Sequence, residues 1–125
     1  FEGAGCRVFL DPAAAVDSPV AALVRSYPIR SLNVVAHIRK ATQGRVALEN
    51  THPFMRELWG RYWIFAHNGD LKNYAPSHTG SYRPVGETDS EAAFCDLLHT
   101  LTARFGDCAP ADDVLGNAIA AWAAD

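Results

Sequence analysis

The side chains best suited to chemistry in this sequence fall in four short polar runs. In Ala36-His37-Ile38-Arg39-Lys40-Ala41-Thr42-Gln43-Gly44 a strand-like stretch delivers Arg39 to the lip of a loop. A guanidinium fork placed there can make two parallel charge-assisted bonds to a carboxylate, and Thr42 adds a third donor. The same pattern also describes a strand that ends in a solvated basic pair. In Ala66-His67-Asn68-Gly69-Asp70, Asn68 carries an amide donor and Gly69 a backbone N–H with no Cβ in front of it. Such donors suit a developing oxyanion, where one is typically worth about 2.7–4 kcal/mol of barrier. Asn-Gly is equally a two-residue hairpin turn signal.

The third run, Gly86-Glu87-Thr88-Asp89-Ser90-Glu91, crowds three carboxylates at the start of a helix. Capping and helix-dipole complementation account for acids in that place, and so does the binding of an ammonium group. The fourth, Glu49-Asn50-Thr51-His52-Pro53-Phe54, sets His52 in a polar loop where it can orient a ligand or simply be solvated. No histidine pair has metal-ligand spacing and no cysteines form a CxxC, so neither a metal nor a cofactor is expected. Cys6 lies in a strand-like alternation without a neighbouring base, and Cys95 lies beside a helical apolar stripe, where a core role is expected.

The elements that must position these runs can be read from hydrophobic period and turn chemistry. Gly5 to Leu10 alternates as a half-buried strand, and Asn33 to Ile38 is short, β-branched and apolar, as a buried strand would be. Between them Ser18-Pro19 starts a helix that Pro28 stops. Lys40 to Gly60 has little periodicity and reads as a long functional loop. Arg61 to His67 returns to strand character. A helix begins near Asp89, with Thr88-x-x-Glu91 as a capping box. Its stripe is Phe94, Leu97, Leu98, Leu101 and Phe105, and Gly106 closes it. Ala109 to Ala124 reads as a last helix with Val114, Leu115, Ala118, Ile119 and Trp122 on one face. The order implies an α+β or layered α/β domain with too few strands for a complete sheet.

Bulk properties narrow the partners. Over 125 residues, close to half hydrophobic and a fifth charged, one globular domain is expected. A net charge of -3 argues against nucleic acid and suits a small polar metabolite. No apolar run is long enough to span a membrane. The three cysteines lack framework spacing, which points to reduced thiols and a cytoplasmic setting. A homo-oligomer is compatible with these features. The start at Phe1 and the end at Asp125, directly after an apolar helical stretch, suggest a piece of a longer chain.

In order, His37-Ile-Arg39-x-Ala-Thr42-x-Gly44, Asn50-Thr-His52-Pro53, His67-Asn68-Gly69 and Glu87-Thr-Asp89-Ser-Glu91 resemble the landmarks of the class II, or N-terminal-nucleophile, glutamine amidotransferases. Within that family the likeness is to stand-alone bacterial proteins of the type that includes γ-glutamyl hydrolases, carried by Arg56-Glu57-Leu58-Trp59-Gly60. The resemblance implies that residues 1–125 are part of an αββα sandwich, without its nucleophile segment and C-terminal part. It implies that Arg39 binds a glutamine α-carboxylate with help from Thr42, and that Asp89 binds the α-ammonium. Asn68 and Gly69 would form the oxyanion hole, and His52 would line the pocket.

The family nucleophile is a cysteine at the mature N-terminus whose own α-amino group serves as base. The resemblance places it before Phe1, and Cys6 matches a later strand. Gln43 departs from the pattern, since synthase relatives often have histidine there. The isolated chain is therefore expected to bind a glutamine-like ligand without turning it over. The alternative is a non-catalytic module for γ-glutamyl ligands.

Overall fold

The computed structural model describes residues 3–38, 45–77 and 80–124. Among them the architecture is α+β, with one two-stranded antiparallel sheet and three helices. In chain order these are α1 (Pro19–Ser26), β1 (Phe54–Leu58), β2 (Arg61–Phe65), α2 (Asp89–Phe105) and α3 (Asp112–Trp122). The second sheet of an αββα sandwich is not among the described residues.

Helix starts follow local chemistry closely. Ser18 caps α1 by accepting from the Ala21 N–H, and Pro19 occupies the first turn, where its missing N–H costs nothing. Thr88 caps α2 by accepting from the Glu91 N–H at 3.1 Å. The helix ends at Gly106, whose φ of 67° favours glycine. Phe94, Leu97, Leu98 and Leu101 recur at helical spacing and are almost fully buried. They face Phe54 and Leu58, the inward residues of β1, and Phe65 of β2 stacks on Phe94 with ring centroids 5.3 Å apart.

The hairpin between the strands forms inside the segment expected to be a loop. Lys40 to Gly60 holds a short 3₁₀ turn (Leu48–Asn50) and all of β1. Alternating burial along Phe54–Leu58 is the strand period, hidden in the sequence by Arg56 taking an inward position. Leu58 pairs with Arg61 across a two-residue turn, Trp59-Gly60, with both residues at positive φ (58° and 71°). That is the type I′ signature, so the hairpin turn lies here and not at Asn68-Gly69.

Two expected strands do not form. Gly5 to Leu10 keeps its alternation of half-buried and exposed side chains, and beyond a single bridge residue at Gly5 it has no ladder. Asn33 to Ile38 is irregular, with Val34 and Ile38 left 74% and 82% exposed. A strand exists through a ladder of hydrogen bonds to a neighbour, and the described residues supply no ladder to either segment. Of the face expected on α3, only Ala118 is buried, and Val114 is exposed. Asp96 of α2 ties the packing together, accepting from Tyr74 Oη and Trp122 Nε1, both at 2.8 Å. Burial pushes the Tyr74 phenol up, and the Asp96 carboxylate adds to the shift.

Candidate functional site

β2 ends at Phe65, and the chain leaves its edge as Ala66-His67-Asn68-Gly69-Asp70. This segment is fastened to the start of α2. The Leu71 N–H donates to Asp89 Oδ2 at 2.7 Å, while the Ser90 N–H donates to Asp89 Oδ1 at 2.7 Å. Burial pushes the Asp89 carboxyl up. The donors from Leu71 and Ser90 outweigh it, helped by His67, so the group is held below the usual carboxylate value.

Asn68 is exposed, and its side chain makes no hydrogen bond among the described residues. Gly69 has a φ of 156°, and a Cβ there would stand 3.0 Å from two atoms of the His67 ring. A larger residue here would require the His67 ring to give by a few tenths of an ångström, and the backbone conformation favours glycine. Two donors, one side-chain and one main-chain, are thus presented on a short loop anchored by a carboxylate at a helix N-terminus. An oxyanion hole needs donors of this kind held in place before the charge develops.

His52 is buried and stacks on His37 with ring centroids 4.3 Å apart. Both histidines line a cavity of about 1110 Å³ together with Cys6, Val8, Val24 and Val35. His37 Nε2 donates to the His67 carbonyl at 3.1 Å, which joins the cavity wall to the Asn68 loop. Asn68, Gly69 and Asp89 do not themselves line this cavity. Arg39 and Thr42 lie outside the described residues. The structure thus brings Asn68, Gly69 and Asp89 together, and connects His52 to them through His37.

Three residues take roles that the sequence reading does not give them. His67 and Ser90 appear within the polar runs, yet their contact, His67 Nδ1 to Ser90 Oγ at 3.2 Å, joins residues distant in sequence. Glu91 is the other surprise. It does not reciprocate the Thr88 cap; its Oε2 accepts from the Gly86 N–H at 2.7 Å and its Oε1 pairs with Arg56 at 2.5 Å. The capping box is therefore half formed, because the half-buried Arg56 guanidinium is the stronger partner for a carboxylate only 2% exposed. Among the described residues no cluster of side chains could hold a metal ion.

The model of the family described as class-II glutamine amidotransferases matches residues 1–125. The chain is 64% identical over 105 residues to YafJ of Escherichia coli (strain K12), provisionally named a glutamine amidotransferase. That match covers 84% of this chain and 41% of YafJ. A Haemophilus influenzae protein of the same provisional name is 56% identical over 105 residues, covering 84% of this chain and 36% of its own length. A crystal structure of a predicted glutamine amidotransferase from Pseudomonas aeruginosa PA01 aligns with a TM-score of 0.58 and 58% identity, over 68% of this chain and 33% of that one. The chain thus spans about two-fifths or less of the length of these relatives. With the family model matching from first residue to last, the chain belongs to the class II glutamine amidotransferases.

Proposed function

We propose that this chain is the substrate-binding part of an amidase that releases ammonia from the γ-amide of glutamine or of a γ-glutamyl compound. The observation that carries the reading is the Asn68-Gly69 loop, with two donors presented and its base locked to Asp89. Arg39 and Thr42 take the α-carboxylate, Asp89 the α-ammonium, and His52 shapes the pocket wall. This part sits within the αββα sandwich of N-terminal-nucleophile hydrolases, and the protein works in the cytoplasm on a small molecule.

The attacking sulfur comes from a cysteine N-terminal to this chain. Its α-amino group takes the thiol proton, the thiolate adds to the amide carbon, and the oxyanion is held by the Asn68 amide and the Gly69 N–H. Collapse passes the proton to the leaving nitrogen, which departs as ammonia and leaves a γ-glutamyl thioester. Water then cleaves the thioester to glutamate and regenerates the thiol.

The test is hydrolysis of glutamine and γ-glutamyl peptides by the intact parent protein, followed by ammonia release. In an active protein Asn68→Ala lowers kcat about 10²–10³-fold, the usual cost of one oxyanion donor. A folded parent protein that binds these ligands without hydrolysing any of them would instead be a γ-glutamyl-binding module. An unchanged kcat in Asn68→Ala would remove Asn68 from the oxyanion hole.

A further inference from the structure

The Asn68 loop and the start of α2 are joined by more than the Leu71 amide. Ser90 is 3% exposed, and its hydroxyl donates to Asp89 Oδ1 at 3.2 Å. With its only proton so placed, the Ser90 oxygen must accept from His67 Nδ1, also at 3.2 Å. That polarity makes the neutral imidazole the Nδ1–H tautomer and leaves the lone pair on Nε2. The Nε2 and Cε1 edge faces Gly69 closely enough that a Cβ on Gly69 would stand 3.0 Å from both atoms. The His67 carbonyl is held from the other side by His37 Nε2. Asp89, Ser90 and His67 therefore form one continuous path of contacts, with Gly69 beside the His67 ring.

We propose that Ser90 and His67 are positioning residues that couple Asp89 to the oxyanion hole, so that an α-ammonium bound at Asp89 raises the rate of attack on the distant γ-amide. The inference rests on the substrate reading above. An arriving ammonium competes for the Asp89 oxygens that hold Ser90 and Leu71. The Ser90 hydroxyl then turns, the imidazole it orients follows, and the Gly69 backbone beside that ring settles into its working position. Binding energy from a non-reacting part of the substrate is thereby expressed in kcat and not only in KM.

The experiment uses the intact parent protein and two substrates, glutamine and glutaramate, the amide of equal length that lacks the α-ammonium. Wild-type kcat should be about 5–150-fold higher for glutamine, the usual range of a coupling between two sites. Ser90→Ala and His67→Phe, which keeps a ring beneath Gly69, should lower kcat for glutamine by a larger factor than kcat for glutaramate. Ser90→Thr retains the hydroxyl and should restore the preference. Should His67→Phe fail to fold, the Ser90→Ala and Ser90→Thr pair decides alone. Equal kcat for both substrates in the wild type, or equal losses for both in Ser90→Ala, would overturn the coupling. A wild type that hydrolyses neither substrate would overturn the amidase reading itself, a different result from either of these.

Discussion

Asp89, the residue proposed to bind the α-ammonium, already uses the same atoms to hold the fold together. Both of its oxygens are engaged by protein donors, from Leu71 and Ser90, before any ligand arrives. Those donors hold its carboxyl below the ordinary value against the upward push of burial. A carboxylate whose folded-state pKa is depressed adds stability above its unfolded pKa, and that stability is lost as pH falls through the folded value. Wild type should therefore exceed Asp89→Asn in stability near neutrality, with the difference shrinking as pH drops below about 4. Urea midpoints of both proteins at neutral and acid pH measure it. A difference that stays constant with pH would show that the Asp89 charge does not contribute.

At the scale of elements, the start of α2 is fixed by contacts its own sequence does not contain. Asn50, 1% exposed, accepts from the Glu87 N–H at 2.8 Å and donates through Nδ2 to the Arg45 carbonyl at 3.0 Å. The 3₁₀ turn is thereby strapped to the segment that precedes the helix. Gly86 lies so close to this strap that a Cβ would fall 2.3 Å from Asn50 Oδ1 and 2.6 Å from the Glu49 carbonyl oxygen. The second neighbour is backbone and cannot rotate away. Gly86→Ala should cost about 1–3 kcal/mol of stability through overpacking. Chemical denaturation measures the loss, and a variant as stable as wild type would mean that the strap yields. Because Thr88 and Asp89 follow directly, the same substitution should also weaken the α-ammonium binding proposed for Asp89.

Across the whole molecule, burial is uneven. The continuous core lies between the hairpin and the α2 stripe, while α1 contains no buried residue. Protection against amide exchange follows burial and local packing, so α2 should exchange far more slowly than α1. Deuterium uptake followed by mass spectrometry distinguishes the two helices, and equal protection would contradict this distribution. No helix among the described residues is long and apolar enough to cross a membrane.

Local patterns alone were enough to place α1, α2 and β2. A serine-proline start, a threonine cap and four apolar residues at helical spacing act within one or two turns, and their effect does not depend on remote partners. The α-ammonium and oxyanion candidates were legible as residue types for the same reason. What tertiary structure decided was everything that needs a partner far along the chain. β1 became a strand because its backbone pairs with β2, and Arg56 on its inward face meets Glu91. Gly5–Leu10 and Asn33–Ile38 did not become strands because no neighbour among the described residues completes their hydrogen bonds. Asn-Gly left the hairpin to Trp59-Gly60, whose paired positive φ values close the turn. His67 and Ser90 acquired a joint role only when β2 was laid beside the start of α2. Chemistry could be read from residue types and their order, whereas its geometry arose from contacts between segments that the linear sequence keeps apart.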